Sequence, residues 1–184
     1  MKILITGGSG FIAQRITDLF ANVSSNVIYL VSRSIHKDRD ERRNIVRCSY
    51  NSISTTIQSK KLDLIIHCAS ATPSNCDDMS IIFDSNINLS FMVSDYINTY
   101  KPNWLVFLSS VSVYGNINED ELRFDSEYRQ PNKYGLSKLL VEELLKSSCK
   151  ANKTTYVGLR IPGTVGRDSK GNIISKIANH LCNE

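Results

Sequence analysis

The feature that most constrains this chain is the position of its first glycines. Thr6-Gly7-Gly8-Ser9-Gly10 directly follows the apolar run Lys2 to Thr6 and opens an amphipathic stretch reaching Asn22. A strand that turns through glycine into a helix leaves the helix's first N–H groups and its positive dipole end facing the space above the turn. Glycine also lets an anion approach the backbone closely. Gly7 and Gly10 are expected to form such a cradle, with Phe11 and Ile12 beside them at the start of the helix.

The rest of the chain repeats that strand-to-helix rhythm. Short apolar runs fall at Asn26 to Val31, Ile45 to Cys48, Leu62 to Cys68, Trp104 to Ser109 and Thr155 to Ile161, and they read as buried parallel strands. Helical patterns lie between or after them, at Gly10 to Asn22, Met79 to Tyr100, Asn132 to Cys149 and Asn172 to Leu181. A short crossover helix is expected within Ser52 to Lys60. The alternation predicts an α/β fold, a doubly wound Rossmann-type parallel sheet with helices on both faces. With 184 residues, 41% of them hydrophobic, one domain has enough apolar surface for a core.

Charge and cysteine usage narrow the function. Lys and Arg exceed Asp and Glu only by 22 to 18, and the densest charged stretch, Lys37 to Arg43, mixes both signs. A nucleic-acid partner would require a more one-sided surface. The five cysteines, Cys48, Cys68, Cys76, Cys149 and Cys182, show no C-x-x-C pairing, which speaks against a metal site and favours a reducing, cytoplasmic setting. The apolar run at the N-terminus is too short to be a signal peptide or to span a membrane.

The chemistry-bearing pattern is Tyr134-Gly135-Leu136-Ser137-Lys138 at the start of a helix. Four residues apart, tyrosine and lysine share one helical face. A phenol with a pKa of about 10 is a weak base at neutral pH, and an adjacent ammonium is expected to favour its phenolate. Upstream, the fifth strand runs into Leu108-Ser109-Ser110-Val111-Ser112-Val113-Tyr114-Gly115.

Taken together these segments resemble the extended short-chain dehydrogenase/reductase family, the epimerases, dehydratases and reductases that modify nucleotide-sugars. Thr6 to Ala13 resembles its T-G-x-x-G-x-x-G turn, with Ala13 in place of the last glycine. Ser109 to Gly115 resembles its S-S-x-x-V-Y-G segment. The resemblance implies a catalytic set of Ser110, Tyr134 and Lys138. Tyr134 would exchange a proton with a sugar oxygen, Ser110 would bond the same oxygen, and Lys138 would also hold the nicotinamide ribose.

The resemblance also implies a nicotinamide dinucleotide. NAD-specific members end the second strand in a carboxylate, whereas this strand ends in Ser32 and Arg33, so NADP is the expected preference, with NAD as the alternative. Cys48-Ser49 replaces the usual Gly-Asp pair, which leaves a backbone contact at Ser49. Cys68, Ala69 and Ser70 resemble the segment beside the cofactor phosphates and ribose, with His67 structural. Asn86 matches an asparagine on the following helix, and Ile161 lies in a segment resembling L-R-x-x-x-V-Y-G. There Gly163 stands where many epimerases carry asparagine.

Val111 and Ser112 replace the carboxylates that dehydratases carry after the serine. The resemblance therefore leaves an epimerase or a ketoreductase/dehydrogenase acting on a nucleotide-sugar, with a homodimer among the expected assemblies. Two alternatives stay open: a dinucleotide-binding module without turnover, and a reductase of a non-sugar carbonyl. Residues 1–184 are expected to be the NAD(P)-binding domain, with the substrate-binding region starting near 162–184 and the small C-terminal lobe of the family absent.

Overall fold

The computed structural model describes residues 1–33, 42–57, 61–73, 76–118, 120–166 and 180. Six strands form one parallel sheet: β1 (Lys2–Thr6), β2 (Val27–Ser32), β3 (Ile45–Ser49), β4 (Leu64–His67), β5 (Trp104–Ser110) and β6 (Thr155–Ile161), in the order β3-β2-β1-β4-β5-β6. The helices are α1 (Phe11–Ala21), α2 (Ile53–Thr56), α3 (Met79–Tyr100) and α4 (Lys133–Asn152). The expected doubly wound fold is therefore present. The helix expected over Asn172 to Leu181 lies, apart from His180, outside the described residues.

Period-two alternation divides the core between the two faces of the sheet. Leu4, Val31, Ile65, Leu105 and Phe107 pack with Val93 and Ile97 of α3 and Val141 and Leu145 of α4. Ile3, Ile5, Ile28, Leu30 and Ile66 pack on the other face against Ala13 and Ala21 of α1. Ala13, in place of the third glycine, is buried and keeps α1 close to the sheet.

Several element ends differ from the sequence pattern for reasons the hydrogen bonds make plain. β2 starts at Val27 because Asn26 is otherwise engaged, donating to Phe20 O (2.9 Å) and accepting from the N-terminal ammonium (3.1 Å). β4 is shorter than expected because Leu62 N bonds Tyr100 O (3.2 Å), and after His67 the chain leaves the ladder. In the expected Ser52 to Lys60 crossover, a 3-10 turn over Tyr50–Ser52 precedes the short α2, and residues 58–60 lie outside those described.

Helix starts differ in a way that bears on the site. Asp78 caps α3, accepting from Ser80 N (2.8 Å) and Ile81 N (3.3 Å), and Asn132 caps α4, accepting from Gly135 N (2.9 Å). α1 begins at Gly10 with no capping side chain. Its first N–H groups therefore remain available, and they sit at the carboxyl ends of the strands where open α/β sheets bind ligands.

Candidate active site

The turn after β1 is built from backbone. Gly7 adopts φ +76°, and a Cβ there would fall 2.8 Å from both the Cα and the N of Ala69. No L side chain suits that conformation, and the contact on its side is backbone that cannot give way. Gly8 donates to Val31 O (2.8 Å) and Gly10 to Gly7 O (2.7 Å), which folds the turn back toward α1. Gly8, which no sequence pattern singles out, also needs its small size: a Cβ would lie 2.6 Å from Leu30 Cγ.

The segment after β4 lies alongside this turn. Thr6 Oγ1 shares a hydrogen bond with His67 Nδ1 (2.7 Å) and accepts from Ala69 N (3.2 Å), tying β1 to β4. Burial, with Lys138 nearby, holds His67 down to about 3, so the ring is neutral. Burial pushes the Cys68 thiol up to about 12 although it lines the cleft, which makes it a poor nucleophile. Asn86 is buried under this segment: Oδ1 accepts from Ala71 N (2.8 Å) and Ser70 Oγ (3.1 Å), while Nδ2 donates to Ala71 O (3.2 Å) and Ser137 Oγ (3.1 Å). It shapes the cleft wall from behind.

Across the cleft stand the three residues expected to be catalytic. Ser110 ends β5; its Oγ accepts from Ser112 N (3.1 Å) and lies 3.1 Å from Ser112 Oγ. Tyr134, in the first turn of α4, brings its phenol toward the hydroxyls of Ser110 and Ser70. Lys138 Nζ donates to Leu108 O (2.9 Å), lies 4.9 Å from the Phe107 ring centre and 5.9 Å from that of Tyr134. Gly135 between them allows α4 to reach the strand end, since a Cβ there would lie 2.1 Å from Ser112 O.

The electrostatics correct one expectation. Burial pushes the Tyr134 phenol above its ordinary range, and the groups that pull it back are the hydroxyls of Ser110 and Ser70 rather than the lysine. Spacing put tyrosine and lysine on one helical face, but the ammonium turns to the Leu108 carbonyl. Burial also lowers Lys138 to about 8, opposed by the nearby Cys68 and Glu142.

These groups line one cleft of about 530 Å³, bounded by Gly7, Gly10, Phe11 and Ile12 on one side, Cys68 and Ser70 below, and Ser110, Tyr134 and Lys138 opposite. Ile161, Pro162, Gly163 and Thr164 complete the wall. Farther on, Gly166 packs against Phe11, where a Cβ would meet the ring Cζ at 2.8 Å. Among the described residues nothing lies within 4 Å of a Cβ built at Gly163.

Ser32, Arg33 and Ser49 lie apart from this cleft, at the ends of β2 and β3. Ser32 pairs with Ser49 across the two strands, and Arg33 is exposed. At Ser49, where a backbone contact is expected, the N–H donates to Ser52 Oγ (3.0 Å). Tyr50 is a residue that sequence reasoning missed: it hydrogen-bonds the Gly7 backbone, with the Arg33 charge nearby. An aromatic residue at a strand end carries no signal of such a contact.

The arrangement supplies an uncapped helix start and a glycine turn for an anion, a chain of hydroxyls for proton transfer and a buried ammonium. No group of three or more His, Cys, Asp or Glu placed to hold a metal occurs among the described residues, and none of their helices is long and apolar enough to cross a membrane.

Comparison with known proteins agrees with the fold. The profile of the NAD dependent epimerase/dehydratase family matches residues 3–183. UDP-glucose 4-epimerase of Lactobacillus helveticus is 24% identical over 180 residues, covering 94% of this chain and 54% of the relative. ADP-L-glycero-D-manno-heptose-6-epimerase of Brachyspira hyodysenteriae is 26% identical over 198 residues, covering 99% of this chain and 61% of the relative. Among solved structures, UDP-glucuronic acid 4-epimerase from Bacillus cereus in complex with NAD superposes with a TM-score of 0.83 at 19% identity, over 100% of this chain and 63% of that one. The chain thus spans little more than half the length of the relatives it matches.

Proposed function

Because the chain belongs to the NAD dependent epimerase/dehydratase family, we propose that it is the dinucleotide-binding part of an enzyme that moves a hydride to or from a nucleotide-sugar carbon. The observation that carries this reading is the single cleft holding the Gly7–Gly10 turn opposite Ser110, Tyr134 and Lys138. The residues suit a nicotinamide dinucleotide: α1 starts without a capping side chain, and a side chain at Gly7 would have no room. The similar UDP-glucuronic acid 4-epimerase binds NAD.

A bound nicotinamide supplies the hydride donor or acceptor. Gly7, Gly10 and the first turn of α1 bind the pyrophosphate through backbone N–H groups. Tyr134 Oη gives a proton to the reacting sugar oxygen, or takes one from it, and Ser110 Oγ hydrogen-bonds that oxygen. Its raised pKa keeps Tyr134 protonated before substrate enters, so the resting site is set as a proton donor. Lys138 Nζ holds the ribose, and Cys68 and Ser70 form the floor, with the buried Ala69 between them. Residues from 162 onward begin the sugar-binding region.

Return of the hydride to the opposite face of the sugar would make the enzyme an epimerase; a single transfer would make it a ketoreductase. The exposed Arg33 and the absence of a carboxylate at Ser32 favour NADP over NAD. The test uses the full-length gene product. Calorimetric titration with NADP and NAD, followed by turnover on a panel of nucleotide-sugars and their 4-keto forms, should show dinucleotide binding and conversion of at least one sugar. Binding of neither dinucleotide would overturn the reading, and binding without turnover on any carbonyl would leave a dinucleotide-binding module.

A further inference from the structure

Behind the catalytic side of the cleft lies an ion pair unlike the others described. The side chains of Arg160 and Glu142 are 8% and 5% exposed, whereas every other described pair has side chains at least 36% exposed. Glu142 Oε2 accepts from Arg160 Nη2 (2.8 Å), and Oε1 accepts from Arg160 Nε (3.1 Å) and from Ser109 Oγ. The rest of the guanidinium is also used: Nη1 donates to Tyr114 Oη (2.9 Å) and Phe124 O (3.0 Å), and Nη2 to Tyr128 Oη (2.6 Å). Its carbon lies 4.9, 4.7 and 5.2 Å from the ring centres of Tyr114, Phe124 and Tyr128.

Burying two charges adds little stability by itself, because desolvation offsets the attraction. What distinguishes this pair is its location. Glu142 is one helical turn beyond Lys138 on α4. Ser109 precedes Ser110 on β5, and Arg160 precedes Ile161 at the cleft wall. One carboxylate therefore connects the helix that carries Tyr134 and Lys138 to the strand that ends in Ser110.

We infer that Glu142, clasped by Arg160, is a positioning residue that fixes Lys138 and Ser110 from behind. The inference rests on the proposed role of those two residues. Its carboxylate has two separable effects, holding Ser109 by a hydrogen bond and presenting negative charge to the Lys138 ammonium. The other groups around that ammonium are Cys68 and His67 from the β4 side, Tyr134 on α4, the Phe107 ring and the Leu108 carbonyl on β5. Among them Glu142 is the carboxylate.

The test reads the lysine directly, without cofactor. In protein labelled with 13C at lysine Cε, the Lys138 signal, assigned by its loss in Lys138→Met, is followed against pH in wild type and Glu142→Gln. The wild-type midpoint is expected near 8. Removing the charge while keeping the shape should move it to lower pH by about one pH unit. Ser109→Ala serves as the second variant and supplies the answer if Glu142→Gln does not fold. It leaves the carboxylate less satisfied and more negative toward Lys138, and should move the midpoint upward. A midpoint unchanged in the folded variants would overturn the inference. NADP affinity measured over the same pH range is a separate arm: a midpoint that moves while affinity does not follow it would count against Lys138 holding the ribose, not against Glu142 positioning Lys138.

Discussion

The two sides of the cleft are built from different materials. On the β1 side the turn from Gly7 to Gly10 is backbone folded on backbone, with Gly8 N on Val31 O and Gly10 N on Gly7 O, and no charged side chain takes part. On the β5 side the geometry rests on buried polar side chains: Asn86 on Ser137, Lys138 on Leu108 O, and Glu142 between Ser109 and Arg160. The first side should therefore be intolerant of an added carbon and indifferent to charge. The second should tolerate small changes of volume but respond strongly to loss of a hydrogen bond or a charge.

The largest expected effect tests the backbone side. Gly7→Val places a branched side chain at φ +76° and drives its Cβ against the Ala69 backbone at 2.8 Å. Strain of about 1–3 kcal/mol adds to displacement of the strand-end segment that forms the cleft floor. Dinucleotide affinity should fall by roughly 10²-fold or more, since the turn that approaches the phosphate no longer forms. Calorimetry that found equal affinity in the two proteins would remove the turn from the binding site.

The next effect tests the side-chain side. Tyr134→Phe in the full-length gene product should leave dinucleotide affinity within about twofold while turnover falls by roughly 10²-fold, the usual scale for losing a positioned proton-transfer group. The hydroxyls that act on the phenol are those of Ser110, across the cleft from the turn after β1, and of Ser70 on the cleft floor. Normal turnover with intact binding would show that the tyrosine does not handle the proton.

The same division governs how much could be read from the sequence. The glycine turn, the six strands and α3 were legible because each rests on local requirements: glycine where the chain turns tightly, apolar runs where a strand is buried on both faces. The Glu142–Arg160 pair was not, because a glutamate on a helix and an arginine on a strand look like solvated residues until the fold brings together positions 18 apart in sequence. Asn86 matches a family asparagine by sequence, but its partners, Ala71 and Ser137, are 15 and 51 residues away. Spacing put Lys138 beside Tyr134 but carried no information about the Leu108 carbonyl that draws its ammonium aside. The contact between Tyr50 and Gly7 likewise joins two strand ends that no local pattern relates.

A smaller effect comes from the hinge between the two sides. His67 is neutral in the folded chain, with its pKa held down to about 3 by burial, against an ordinary value of 6.5. Between those values the unfolded chain binds a proton that the folded chain does not. The contribution is therefore complete above pH 6.5 and declines as pH falls, by about 2 kcal/mol at pH 5. Urea midpoints recorded from pH 8 to pH 5 should show this slope, and His67→Gln should flatten it. An equal slope in the variant would place the acid sensitivity in other groups.

The smallest effect concerns the far end of the backbone side, where Ser32 and Arg33 close β2. The comparison makes this end an exception: the turn itself uses no charge, so any discrimination between NADP and NAD must come from side chains beyond it. Arg33 is exposed, and Ser32 lies beside Ser49 on the neighbouring strand, so an adenosine ribose reaching past Gly7 would meet, among the described residues, a cation and hydroxyls. That environment is what the proposed NADP preference rests on. Ser32→Asp places a negative charge beside that phosphate and offers the free ribose hydroxyls an acceptor. The NADP preference should reverse by roughly 10-fold, the scale of a single partly screened charge contact. Because the phosphate turn is unchanged, the summed affinity for the two dinucleotides should stay within about threefold. Tighter NAD than NADP binding in the unmutated chain would end the assignment, and a loss of both ligands in Ser32→Asp would mean that the β2 end is part of the turn's architecture and not a separate specificity element.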